Sequence, residues 1–375
     1  LKFLHTADWQ IGRLYAFESD GEGHDPAAAM AQARFDAVAR IAELATAEQV
    51  DAVLVAGDVF DKQALSDNTL RRVINAMSGF TGRWVMLPGN HDAALAESVW
   101  TRLRRLEVLT PNIEVALESG VIEYPTLGVA VLVAPLTQRQ THTDLTELFD
   151  GMQTAPGMVR VGLAHGSVAG ILPESADSPN PIAHDRAMTA RLDFLALGDW
   201  HGSKQVDERT WYSGTPEQDR FKDNDSGNVL IIEIDAPGAL PRVTTKKIGK
   251  FSWQVRNIEI HGSADVERLQ EDLHGLGVGD VVRMSVTGLS DYATSERLRK
   301  VIEEARARAH VLEADLSGLR LEPTAADLAA MRVDGAVAEV VEELRNMQTL
   351  PDQAAKANEA LKLLFDLMRR EGTGA

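Results

Sequence analysis

Five short polar clusters carry side chains able to hold cations or move protons: Asp8 with Gln10, Asp58 with Asp61 in GDVFD, Asn90, His91 and Asp92 in GNHD, the isolated His165, and Asp199 with His201 in GDWHG. Carboxylates, an amide oxygen and imidazoles are all ligands for divalent cations, and the two oxygens of one carboxylate such as Asp58 can span two of them. Taken singly, each cluster has a plain alternative. An Asp after a strand often caps the next helix, and a lone His is often a core residue, the place given to His5. The clusters share one further feature: each follows an apolar run. In open α/β sheets the loops at the carboxyl ends of the strands converge, so the five are expected to meet around one metal centre.

The elements behind these clusters are legible as short β-branched runs. Strands are predicted at Lys2–His5, Ala52–Ala56, Trp84–Leu87, Val129–Ala134, Val159–Ala164, Leu192–Leu197, Thr210–Tyr212, Val229–Ile234 and Val243–Ile248. Between them, Phe35, Val38, Ile41, Ala42 and Ala45 form one helical stripe, and Leu70, Val73, Ile74 and Met77 form another. The fold class is therefore α/β, a layered sheet flanked by helices, with the later strands more antiparallel than the early ones. Near Gly249 the pattern changes to a smaller α/β unit, with strands at Ser252–Ile260, Val281–Val286 and Val311–Leu316 and helices at Asp265–Leu273 and Ser295–Ala309. Beyond Pro323 only helices are expected, the first capped by Thr324 with Asp327. The domain division is thus 1–250, 251–322 and 323–375.

Composition narrows the chemistry. The chain has 375 residues, 44% of them hydrophobic, and no cysteine, which excludes disulfides and thiolate zinc sites. There is no charge-free apolar run of membrane-spanning length and no basic-then-apolar start, so a cytoplasmic location is expected. The net charge of −18 argues against a phosphate-backbone partner over most of the surface. A local exception is the run from Arg242 to Arg256, where Lys246, Lys247 and Lys250 stand without an acidic residue; it reads equally well as the solvated edge of a strand pair.

In order and spacing, the clusters resemble the calcineurin-like metallophosphoesterases. The segments HTADWQIGR at 5–13, GDVFDKQ at 57–63, LPGNHD at 87–92 and WYSGTPEQDRF at 211–221 resemble, more narrowly, the SbcD-type DNA repair nucleases. The resemblance covers residues 1–250, is weaker in the small unit and weakest past Pro323. It implies a layered metallophosphoesterase β-sandwich, two divalent cations and hydrolysis of DNA phosphodiesters, 3′ to 5′ and in single-strand endonuclease mode. One cation would take Asp8, Gln10, Asp58 and His201, the other Asn90, His165, Asp199 and a bridging Asp58. His91 would be the proton donor, oriented by the carboxylate of Asp61. The family has histidine at the positions of Gln10 and Asp199, so each cation would exchange an imidazole for an oxygen donor, a change that favours manganese over zinc.

The resemblance further implies that 251–322 caps the site and contacts DNA, that Arg13 with Lys246, Lys247 and Lys250 meets the DNA backbone, and that the protein is a homodimer working with an SbcC-like coiled-coil ATPase. The stripe Ala357, Leu361, Leu364, Phe365 and Met368 is the candidate surface for that partner. Two other functions fit the same metal core: a phosphodiesterase of small or cyclic phosphoesters, and a weakly active regulatory or binding subunit.

Overall fold

A computed structural model describes residues 1–17, 25–171, 179–322 and 335–372. The described residues form two compact units, Leu1–Asp219 with Asp223–Phe251, and Arg220–Lys222 with Ser252–Ala375.

The first unit contains strands β1 (Lys2–Thr6), β2 (Ala52–Ala56), β3 (Arg83–Leu87), β4 (Ile113–Val115), β5 (Gly120–Tyr124), β6 (Val129–Ala134), β7 (Val159–His165), β8 (Ser167–Val168), β9 (Pro181–Ile182), β10 (Phe194–Gly198), β11 (Lys204–Gln205), β12 (Thr210–Tyr212), β13 (Asn228–Glu233) and β14 (Arg242–Lys247). Its helices are α1 (Pro26–Ala47), α2 (Asp67–Met77), α3 (Val99–Arg105) and α4 (Arg186–Thr189). Two six-stranded sheets carry the fold, in the orders β14-β13-β1-β2-β3-β4 and β11-β12-β10-β7-β6-β5. Both are mixed. The antiparallel pairs are β1–β13, β13–β14, β11–β12 and β5–β6, whereas β10–β12 is parallel.

The central strands are buried throughout because both of their faces are covered. In β2, Leu54 and Ala56 turn toward the second sheet, in one cluster with Phe3, Val131, Leu163 and Phe194, while Val53 and Val55 turn toward Val38, Ile41, Val73 and Met77 of α1 and α2. Phe3 and Phe194 meet edge-on across the sheets, ring centroids 5.6 Å apart. His5 is indeed a core residue, stacked edge-on against Phe194, and burial lowers its imidazole to about 3.

In the second unit, β15 (Ser252–Ile260), β16 (Asp280–Ser290) and β17 (Val311–Leu321) form a parallel sheet joined by α5 (Ser263–His274) and α6 (Tyr292–Arg306). One sheet face packs Val282, Met284 and Val286 against Leu269, Leu298 and Ile302 of the helices. The last two strands run several residues beyond the predicted ends, since the polar residues of the other face interrupt the apolar run without ending the pairing. Helices α7 (Gly335–Met347) and α8 (Ala354–Gly372) follow. The Thr324–Asp327 cap lies outside the described residues.

Leu361 of α8 is fully buried and clusters with Leu321 of β17 and Val341 of α7, with Leu364 packed alongside, and Ala357 is equally buried. The apolar stripe proposed for a partner is therefore covered, at these positions, by the protein itself. Truncating Leu361 to alanine is expected to cost the second unit about 2–5 kcal/mol, read as a lower urea midpoint. An unchanged midpoint would mean that the stripe is not core.

Candidate metal centre

β1, β2 and β3 are parallel neighbours in one sheet, β7 and β10 in the other, and every one of the five polar clusters leaves the carboxyl end of one of these strands. Backbone pairing continues past the strand ends, with Asp8 N–H donating to Gly57 O at 3.0 Å and Gln10 N–H to Asp58 O at 2.9 Å. The two sheets are tied at this edge by His165, whose Nδ1 lies 2.8 Å from the Ala56 carbonyl. Such proximity requires glycine: a Cβ on Gly89 would stand 2.2 Å from Asp58 Oδ1, and one on Gly57 would stand 2.4 Å from His165 Nδ1. Asp8, Gln10, Asp58 and Asp199 all adopt positive φ, at 53°, 44°, 52° and 103°. Backbone strain of this kind persists only where the surroundings impose it, and it gathers at functional sites.

One ligand atom from each of Asp8, Asp58 and His165 falls within 4.8 Å of the others, all three residues buried. His165 Nε2 lies 3.1 Å from Asn90 Oδ1, 3.6 Å from Asp58 Oδ1 and 3.7 Å from Asp199 Oδ1. The backbone N–H of Asp199 points at both oxygens of Asp8, at 3.2 and 3.3 Å. Burial pushes the Asp8 carboxyl up to about 6; His201 and His165 oppose the rise, and Asp58 and Asp199 add to it. Burial pushes His165 down, but Asp58, Asp8 and Asp199 together outweigh it and raise the imidazole to about 9. Three crowded carboxylates, an amide oxygen and imidazole nitrogen are a donor set that fits a divalent cation, which would offset the repulsion.

His91 is more open, its side chain 41% exposed, with Nε2 3.9 Å from Asp58 Oδ2. Its backbone N–H donates to Asp58 Oδ1 at 2.9 Å. The orienting group expected from Asp61 is present in a different form: His91 Nδ1 sits 2.9 Å from the main-chain carbonyl of Asp61, while the Asp61 carboxylate faces Arg13 at 3.8 Å. The tight turn after Asp58 brings the carbonyl, and not the side chain, within reach of the ring.

Gln10 also departs from its expected orientation. Its Oε1 accepts from Arg13 at 2.7 Å, and its Nε2 faces His201 Nε2 at 3.1 Å.

Two functional carboxylates carry no role in the sequence reading. Asp219, with only 2% of its side chain exposed, lies 3.2 Å from His201 Nδ1, 3.3 Å from the buried Arg34 and 3.4 Å from Arg13. It lies within the WYSGTPEQDRF segment, but nothing in its spacing links it to His201 or Arg34. A carboxylate on the far nitrogen of a ligating histidine fixes the ring's tautomer and direction. Asp219→Asn is therefore expected to weaken divalent-cation binding about 10- to 100-fold by calorimetry, and an unchanged affinity would remove this role. Asp92, fully buried, accepts from the backbone N–H groups of Gly89 at 2.6 Å and Phe60 at 3.1 Å, buckling the GNHD turn to the loop that carries Asp58. Burial, with Asp58 adding, raises it to about 7.

The sequence model of the calcineurin-like phosphoesterases matches residues 1–232, the segment that supplies all of these groups. The chain belongs to this family. Three curated relatives are each named as the D component of the nuclease SbcCD. The Bacillus subtilis protein is 25% identical over 274 residues, covering 64% of this chain and 67% of that protein. The Escherichia coli K12 protein is 39% identical over 105 residues, 26% of this chain and 23% of its own length. The Rhodobacter capsulatus protein is 36% identical over 99 residues, 25% of this chain and 22% of its own. The chain thus spans less than a quarter of two of these relatives.

The phosphoesterase's basic stripe lies on β14, an edge strand. Lys247 stands opposite Asn228, at the end of the sheet from which Asp8 emerges. Lys246 pairs with Glu48 at 2.8 Å, Lys247 donates to the Ser226 carbonyl at 2.5 Å, and Lys250 lies over the Phe251 ring at 5.1 Å. Among the described residues no helix is long and apolar enough to cross a membrane.

Proposed function

We propose that this phosphoesterase is a dinuclear, manganese-preferring DNA phosphodiesterase acting in DNA repair, a 3′ to 5′ exonuclease that also cuts single strands internally. The observation that carries the reading is the buried meeting of Asp8, Asp58 and His165, with Asn90 and Asp199 against the same imidazole. Asp8, Asp58 and His201 would hold one cation beside Gln10, and Asp58, Asn90, His165 and Asp199 the other. Bound there, two divalent cations would supply positive charge to the scissile phosphate and to the attacking water.

The chain's own groups do the rest. Asp58 offers one oxygen to each position, and Asn90 contributes an uncharged oxygen that adds no repulsion. The carbonyl of Asp61 accepts from His91 Nδ1 and so leaves Nε2 as the nitrogen that carries the transferable proton, which it gives to the departing oxygen. The exposure of His91 supports this role, because a substrate can reach it.

The relatives' printed names support a nuclease as the substrate-level reading and an SbcC-type ATPase as the partner, with a homodimer as the assembly. The unit from 251 to 322 would cap the site and steer DNA, and Arg13, Lys246, Lys247 and Lys250 would meet its backbone at the rim. Asp199 in place of an imidazole supports manganese over zinc. The test is turnover by the purified protein with Mn²⁺ on labelled single-stranded, double-stranded and hairpin DNA, alongside bis-p-nitrophenyl phosphate and cyclic nucleotides. DNA cleavage is expected; turnover of cyclic nucleotides alone would replace this reading with that of a small-phosphoester phosphodiesterase.

A further inference from the structure

Four side chains form a line whose donors and acceptors leave little freedom. Arg13 has only donors, so the Gln10 atom 2.7 Å from its guanidinium is the carbonyl oxygen. The other end of that amide is then NH₂, and it faces His201 Nε2 at 3.1 Å. For this contact to be a hydrogen bond, Nε2 must accept, which puts the ring proton on Nδ1. Nδ1 faces the Asp219 carboxylate, itself an acceptor, at 3.2 Å. Turning the Gln10 amide over would set its NH₂ against the N–H of Arg13, donor against donor. Arg13 is in turn anchored by Asp219 at 3.4 Å and Asp61 at 3.8 Å.

We infer that Gln10 is not a cation ligand but an intramolecular competitor for one: Arg13 holds its amide as a donor to His201 Nε2, the nitrogen through which His201 would bind the first cation. The inference rests on the metal reading above and deepens it. A cation entering the Asp8–Asp58–His201 position must displace the Gln10–His201 hydrogen bond, so this position binds more weakly than the one built on His165 and Asn90. The histidine-to-glutamine exchange at this position then does more than delete a ligand, because it supplies a group that holds the remaining imidazole in the tautomer that can ligate while covering its nitrogen.

The experiment turns on sign. The folded wild-type protein, Gln10→Ala and Gln10→Met are titrated with Mn²⁺ by calorimetry. Methionine keeps the side-chain volume but offers no hard donor, which guards against a packing defect in the alanine variant. If Gln10 competes, both variants bind Mn²⁺ more tightly at the weaker of two classes of site, by about two- to tenfold, the weight of one net hydrogen bond. In ¹⁵N spectra of histidine-labelled protein without added cation, assigned with His201→Gln, His201 Nε2 is unprotonated in the wild type and moves toward the value of a non-hydrogen-bonded ring nitrogen in Gln10→Met. Weaker Mn²⁺ binding in both variants would make Gln10 a ligand and overturn the inference, as would unchanged affinity and unchanged spectra. Asp58→Ala separates the two levels of failure. If the wild type binds Mn²⁺ and Asp58→Ala does not, an adverse result at Gln10 sinks this inference alone, whereas a wild type that binds no Mn²⁺ sinks the metal reading with it.

Discussion

Asp58→Ala is expected to abolish hydrolysis of every phosphodiester substrate and to strip the protein of bound cation. Asp58 Oδ1 lies 3.6 Å from His165 Nε2 and accepts the His91 backbone N–H, while Oδ2 faces the His91 ring, so one side chain addresses both halves of the site. Losing it removes the shared ligand of two positions at once, where loss of Asp8 or Asn90 would remove a ligand from one. The variant should nonetheless fold. Asp58 adds to the upward shift of both Asp8 and Asp92, so its removal relieves repulsion in the cation-free protein. The check is metal content by mass spectrometry beside a thermal melt and turnover. Near-normal turnover would exclude a bridging role for Asp58.

His91→Ala should separate chemistry from metal. Its ring touches the Asp61 carbonyl and approaches Asp58 without belonging to the buried Asp8–Asp58–His165 group, so cation content is expected to stay at the wild-type level. The rate should fall about 10²- to 10⁴-fold, the usual contribution of a positioned general acid. The fall should shrink for a substrate with a good leaving group, such as bis-p-nitrophenyl phosphate, which needs no proton. Loss of metal from this variant would make His91 a ligand, and an undiminished rate would make it a bystander. Asp61→Asn, in contrast, should leave the rate close to normal, because the orienting atom is the main-chain carbonyl.

The strands at the heart of the first unit were legible to within a residue or two, because β2, β6 and β7 are covered on both faces and read as unbroken apolar runs. Ile113–Val115 and Gly120–Tyr124 were not legible: each is a sheet edge, three and five residues long, with few fully buried side chains to mark it. The groups that meet at the site were legible for a related reason. Polar residues beside glycine at the end of an apolar run have few other uses, which singled out Asp8, Asp58, Asn90, His91, His165, Asp199 and His201. What escaped was partnership across the chain. Asp219 and Arg34 form a buried ion pair between segments remote in sequence, and no local pattern announces it. The direction of the Gln10 amide depends on Arg13, and the choice of carbonyl over carboxylate at Asp61 depends on how the loop turns. Residue types are written in the sequence; donor and acceptor directions are set by tertiary contacts.

The most direct test of the central claim is a crystal structure of the protein soaked in Mn²⁺, with anomalous scattering used to locate the ion. The account predicts two anomalous peaks about 3.5–4 Å apart, with Asp58 between them, His165, Asn90 and an Asp199 oxygen on one, and Asp8 and His201 on the other. A well-ordered site with no anomalous peak within ligand distance of Asp58, or peaks that leave Asp8, Asp58 and His165 uncoordinated, would contradict it.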